Sequence, residues 1–170
     1  EKRLYPRRRV DSKVVFHDSC YLGRYNDIYD PPREILKRIP GVVLIEASMS
    51  RSTGLCCGAG GAQMWMEEQN NDRVNKRRVL QLLETGASTI ASGCPFCHTM
   101  LTDGLKAFEG EKELENRTVQ QLDVAVILER SLGLDAAKAD EPACIAFWAL
   151  LGWHQVERPE GIRDGAWVEK

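Results

Sequence analysis

Two adjacent cysteines, Cys56 and Cys57, open the glycine-rich stretch GLCCGAGG at Gly54–Gly61. Three more stand far from them: Cys20, and the pair Cys94 and Cys97 in SGCPFCH. Adjacent cysteines are strained partners for one another in a disulfide. The spacing C-x35-CC-x36-C-x2-C therefore points to a shared acceptor of thiolates. Structural zinc takes four thiolates in a closed tetrahedron. An iron–sulfur cluster also usually takes four, but it has several irons to distribute among its ligands. Five thiolates around one centre suit a multi-iron group better than a single zinc. Cys56 and Cys57 would then serve different irons, or one thiolate would bridge two.

Such convergence needs elements that bring distant loops together. Three short β-branched runs read as buried strands of a parallel sheet covered on both faces: KVVFH (Lys13–His17), GVVLIEA (Gly41–Ala47) and STIAS (Ser88–Ser92). Helical patterns lie between them. DPPREILKRI has Asp30 as N-cap, Pro31 at the first helical position, Ile35 and Ile39 on one face, and Pro40-Gly41 as a stop. A long helix is expected from about Ala62 to Glu84, its C-terminal half basic in keeping with the dipole, with Gly86 as a stop. Another follows Cys94, and TVQQLDVAVILERSLG reads as a last helix capped by Thr118. The order β-α-β-α-β-α-α predicts an α/β fold, a short parallel sheet with flanking helices and right-handed crossovers. Each cysteine group then follows the C-terminal end of a strand, on the rim where open parallel sheets bind ligands. The GAGG glycines let backbone amides approach an anionic group there. Helix starts after Gly61 and after Cys94 would lower thiol pKa values.

The 170 residues suffice for one domain with a core and an appended segment. A net charge of −2 gives no global argument for nucleic acid. Residues 1–12 read as a basic leader or linker end, with five basic residues and one acidic before Asp11. Residues 13–134 read as the cysteine-rich domain and 135–170 as an extension of unplaced role. Six cysteines without a secretory pattern do not form a disulfide framework and suit a reducing, cytoplasmic setting. The apolar run ACIAFWALLGW (Ala143–Trp153) is about half the length of a membrane span and reads as a buried helix or interface strip. A first residue of Glu leads to the expectation that the chain is part of a longer protein.

Other residues carry weaker readings. GCPFCH alone matches a thioredoxin-type CxxC on a helix start, but that chemistry leaves Cys20, Cys56 and Cys57 without a role. His17 and His98 flank the cysteines and read first as loop polar residues, then as ligands or hydrogen-bonding supports. Arg24 and Tyr25 read as a cap or surface pair, or as contacts to a partner. Trp65, with Met64 and Met66, reads as core at a helix start, or as a shield over the centre. Cys144 reads as a buried apolar residue, and His154 lies in the tail.

The segments HDSCYLGR, GLCCGAGG and SGCPFCHTML together resemble the cysteine-rich CCG domain. That domain occurs in heterodisulfide reductase subunits, in anaerobic glycerol-3-phosphate dehydrogenase and in lactate-utilisation proteins. HDSCYLGRYNDIYDPPREIL with CCGAGGAQMWMEE is most similar to iron–sulfur oxidoreductases linking electron-transfer flavoprotein to a membrane quinone. The resemblance covers about residues 14–132. It implies an electron-transfer domain of a heterodisulfide reductase-like oxidoreductase. It also implies Cys20, Cys56, Cys57, Cys94 and Cys97 as ligands of one [4Fe–4S]-type cluster, noncubane in the paired domains. The implied partners are ferredoxin-type or flavoprotein redox subunits and a second CCG domain, with the parent complex at the cytoplasmic face of a membrane. Ser19 stands where the family commonly has proline, which affects loop rigidity. Some members bind zinc, so a zinc-binding interaction module stays open, as does a thiol oxidoreductase using Cys94 and Cys97.

Overall fold

Four short strands run parallel in the order β2-β1-β3-β4: β1 (Ser12–Phe16), β2 (Val42–Ile45), β3 (Thr89–Ser92) and β4 (Gln120–Asp123). The computed structural model describes residues 4–66, 73–111, 114 and 117–133, together with the strands Ile162–Arg163 and Ala166–Trp167. The chain divides into two compact units, Glu1–Gly133 and Leu134–Lys170. In the second, the two-residue strands pair antiparallel. The readings of Cys144, His154 and the apolar run fall outside the described residues.

The strand period of two sorts the central residues onto opposite faces. Val15 and Ile90 pack with Val79, Leu82 and Leu101, which lie on α3 (Val74–Leu83) and α4 (Pro95–Lys106). Val14, Phe16 and Ala91 pack with Leu36 of α2 (Asp30–Lys37) and with Val124 and Ile127 of α5 (Val124–Leu132). The short helix α1 (Gly23–Asn26) follows Cys20. The parallel α/β architecture is thus the one the strand and helix patterns predict.

Several local expectations need correction. Gln120–Asp123 is an edge strand, not helix, and Asp123 caps α5 by accepting from the Ala125 N–H at 2.8 Å. Its polar sequence hid it, because strand periodicity is read from apolar residues. β2 lies at the opposite edge, where Val43 is 56% exposed rather than covered. On α2, Tyr29 is the N-cap, and Pro32, Arg33 and Leu36 face inward while Ile35 faces out. The helix placed from Ala62 begins at Val74: Ala62 is left-handed, Met66 extended, and a three-residue 3-10 turn covers Gln63–Trp65. Lys76, Arg77 and Arg78 therefore sit in its N-terminal half, so they do not complement the dipole.

Residues 7–10 are tied to the sheet domain by backbone hydrogen bonds. The Arg7 and Arg8 N–H groups donate to the Ser131 carbonyl at 3.1 and 2.8 Å, and the Val10 N–H to Pro40 at 2.8 Å.

Helices α3 and α4 meet closely at Gly104. A Cβ there would stand 2.8 Å from Val79 Cγ2 and 3.1 Å from the Asn75 carbonyl oxygen. Asn75 also donates through Nδ2 to the Met100 carbonyl at 3.1 Å. Neither the backbone oxygen nor a β-branched side chain can give way cheaply. Gly104→Ala would gain about 1 kcal/mol in helix propensity and lose about 1–3 kcal/mol to overpacking. The expected result is a net loss, read as a lower urea midpoint at unchanged slope.

Candidate metal centre

In this strand order the chain leaves β1 toward β2 on one side and later adds β3 on the other. The C-terminal ends of β1 and β3 thus flank the topological switch point, where open parallel sheets form a crevice. A cleft of about 590 Å³ opens at this place. Its walls come from Ser19–Leu22 after β1, from Cys57–Trp65 after β2, and from Gly93–Cys97 after β3.

Cys20, Cys57, Cys94 and Cys97 line this cleft, and Cys56 lines a smaller adjoining pocket together with Cys20. All five are free thiols. Cys57 and Cys97 are buried, and the Cys97 thiol donates to Cys57 Sγ at 3.4 Å. Two local features aim the adjacent pair. Gly58 takes a left-handed φ of +88°, a conformation that L side chains rarely adopt, and its N–H donates to Cys56 Sγ at 3.3 Å. Cys94 is the N-cap of α4 with Pro95 at the first helical position, which places Cys97 one turn inside.

The expected lowering of thiol pKa values does not hold for the adjacent pair. Hydrogen bonding with Cys57, then burial, pushes the Cys56 thiol up. The bond with Cys56 lowers Cys57, but the bond with Cys97 and burial outweigh it and push Cys57 up to about 11. The segment after Gly61 is a 3-10 turn of three residues, too short to supply a helix dipole. Without a metal these two thiols are protonated at neutral pH.

His17 is no ordinary loop residue. It is buried, and its imidazole lies within 4.8 Å of the Cys57 and Cys97 sulfurs. Burial and the neighbouring Arg78 charge push its pKa down to about 3, so the ring is neutral. Its Nδ1 accepts from Arg78 Nε at 3.0 Å. His98 is exposed on α4. Arg24 closes the small pocket by donating to the Gly54 carbonyl at 2.6 Å, and Tyr25 is exposed. Trp65 is 79% exposed at the cleft lip, with Phe96 and Tyr21 also exposed, so it is lip and not core.

The cysteine pattern does not reveal the site's charged supports, although they carry a sequence signal of their own. Arg33 and Arg78 lie on the apolar faces of α2 and α3, and both are fully buried. Arg33 grips Asp18 through Nη1 and Nη2 at 2.6 and 2.9 Å, and Glu46 through Nε and Nη2 at 2.6 and 2.8 Å. Asp18 Oδ2 also accepts the Arg51 N–H at 2.6 Å. Burial alone would raise Asp18; the Arg33 and Arg51 hydrogen bonds outweigh it and hold the carboxyl below its usual range. This network fixes the loop that runs into Cys20.

The donor set fits a thiolate-bound metal group. In a tetrahedral centre with metal–sulfur bonds of about 2.3 Å, sulfurs stand about 3.8 Å apart, close to the Cys57–Cys97 separation of 3.4 Å. A second observation agrees: the buried Arg78 Nη2 has no hydrogen-bond partner among the described residues. A cation left unmatched beside a thiol cluster suits an anionic occupant.

A model of the CCG cysteine-rich domain matches residues 14–102. The chain belongs to the CCG cysteine-rich domain family. This CCG domain is 55% identical over 120 residues to a probable iron–sulfur-binding oxidoreductase, FadF, of Bacillus subtilis, covering 71% of the chain and 17% of the relative. It is 40% identical over 139 residues to the EtfAB:quinone oxidoreductase of Syntrophomonas wolfei (78% and 19% covered). It is 35% identical over 127 residues to one subunit of the dihydromethanophenazine:CoB–CoM heterodisulfide reductase of Methanosarcina acetivorans (75% and 29% covered). The chain thus spans less than a third of each of these curated relatives. No solved structure matches it significantly.

Proposed function

We propose that this CCG domain holds an iron–sulfur cluster through Cys20, Cys56, Cys57, Cys94 and Cys97 and serves as an electron-transfer module of a larger oxidoreductase. One observation carries the reading: three loops distant in sequence bring four thiols into one cleft at the sheet's switch point, with the fifth next to it. The names of the relatives support it, since they include an iron–sulfur-binding oxidoreductase, a quinone oxidoreductase and a heterodisulfide reductase subunit. When bound, a [4Fe–4S] group of this kind supplies one-electron transfer.

The chain's own residues prepare the site. Gly58 turns the backbone so that Cys56 and Cys57 present sulfurs to neighbouring spaces. The Arg33–Asp18 network holds the approach to Cys20. Met64 and Ala59 pack against the core and wall the cleft with apolar surface. Tyr21, Trp65 and Phe96 form an exposed aromatic lip, suited to a second CCG domain or another redox subunit, of ferredoxin or flavoprotein type. No helix among the described residues is long and apolar enough to cross a membrane. One relative is named a probable membrane-anchored ferredoxin, in keeping with a parent complex at the cytoplasmic membrane face.

A structural zinc site is the second reading. The separate pocket of Cys56 favours it, because four cleft thiols would complete a tetrahedron without the fifth. Iron, acid-labile sulfide and zinc measured on oxygen-free preparations separate the two. Several irons per chain with matching sulfide and broad visible absorption are expected. About one zinc per colourless chain would overturn the redox reading.

A further inference from the structure

The domain buries two arginines of opposite circumstance. Arg33 is matched by two carboxylates. Among the described residues Arg78, fully buried on α3, has only neutral hydrogen-bond partners: His17 Nδ1 at 3.0 Å, the Met49 carbonyl at 2.9 Å and Gln81 Oε1 at 2.5 Å. Its Nη2 has no partner among the described residues. Asp18 is near enough to interact through space but is gripped by Arg33 and the Arg51 N–H. A buried cation without a contacting acid is costly to desolvate. Cys97 is the other ionisable group near enough to interact with Arg78 when it is a thiolate.

The Arg78 bond also settles what His17 can be. Guanidinium nitrogens only donate, so Nδ1 of His17 must accept and the neutral ring carries its proton on Nε2. A histidine ligand would need Nε2 bare, with Nδ1 carrying the hydrogen. The arrangement makes His17 a donor beside Cys57 and Cys97 rather than a metal ligand.

We infer that Arg78, with His17 between it and the Cys57–Cys97 pair, is the built-in countercharge of the metal–thiolate centre, a positioning residue that favours its more negative, reduced state. The inference rests on the proposed occupancy of the site. Charges and hydrogen bonds just behind the sulfur ligands tune such centres.

The test compares the 170-residue chain with Arg78→Met and Arg78→Lys, each prepared without oxygen. Three readouts are taken: denaturant midpoint of the metal-free form, metal and sulfide content, and midpoint potential by spectroscopic redox titration. The denaturant midpoint checks that metal-free Arg78→Met folds. Its loaded form should show at least a tenfold fall in the equilibrium constant for reduction, about 59 mV downward for a one-electron couple. Arg78→Lys should recover most of that shift. Loading by Arg78→Lys but not by Arg78→Met would equally support the countercharge. Unshifted potentials in loaded variants would overturn the inference while leaving the cluster reading intact. If the parent binds zinc instead, chelator competition decides: tenfold weaker zinc in Arg78→Met than in Arg78→Lys supports the countercharge, and equal affinities overturn it. A parent that binds no metal overturns both readings.

Discussion

Cys57→Ser and Cys97→Ser should each empty the centre, with a loss of metal affinity beyond the roughly 10–100-fold that changes behind the ligands cost. Both sulfurs are buried, 3.4 Å apart, on the wall of one cleft. Serine is nearly isosteric there, so the fold should persist, but its oxygen is a hard donor that stays protonated and does not replace a thiolate. Circular dichroism should therefore be unchanged while iron and sulfide disappear. Cys56→Ser is the discriminating variant, because Cys56 faces the neighbouring pocket shared with Cys20. Five-thiolate ligation predicts that it loses metal as Cys57→Ser does. Full retention of metal in Cys56→Ser, with loss in the other four, would establish a four-coordinate site and favour zinc. Intact metal in Cys57→Ser would remove the centre from this cleft altogether.

How much of this was legible in the sequence depended on what kind of pattern carried it. β1 and β3 are central, so Val14–Phe16 and Thr89–Ser92 are buried without alternation, and their β-branched and apolar residues stand out between polar loops. β4 is an edge strand reading QQLD, where Gln121 bonds Ser92 Oγ at 2.7 Å, and polar pairing of this sort leaves no hydrophobic trace. The cysteine spacing pointed to this cleft because parallel topology places the three loops after β1, β2 and β3 on one rim. His17 was harder. Its position one residue past β1 looks like loop, and only the fold shows that this loop is roofed by α3. Arg33 and Arg78 carried a usable signal, since a charge on the apolar stripe of a helix implies a buried partner. The nature of the partner was beyond local pattern: Asp18 and Glu46 for one lie 15 and 13 residues away, and a neutral histidine for the other lies 61 residues away.

Arg33→Met should cost about 3–5 kcal/mol, the usual penalty for removing one member of a buried ion pair. Against the roughly 5–15 kcal/mol typical of a whole domain, that is a large share. The cost comes mainly from Asp18, whose side chain is 4% exposed and would be left charged with no countercharge beside it, keeping just the Arg51 N–H. Glu46 is 43% exposed, so solvent screens it and Glu46→Gln should change stability by no more than about 1 kcal/mol. The Phe16 ring, 5.2 Å below the guanidinium, keeps its packing against methionine. In Arg33→Met/Asp18→Asn most of the loss should return, because a neutral pair no longer strands a charge. A double-mutant cycle in urea measures this coupling. Acidity supplies a second check on the metal-free chain. The folded carboxyl of Asp18 titrates below its ordinary 3.8. Its contribution is therefore complete above that value and is lost as pH falls through the lower folded one. The gap between parent and Arg33→Met should be full at neutral pH and narrow in strong acid. A gap under about 1 kcal/mol at neutral pH, against the roughly 3–5 expected of a buried pair, would mean that the Arg33 network does not hold the Asp18–Cys20 loop. The placement of Cys20 would then need another cause.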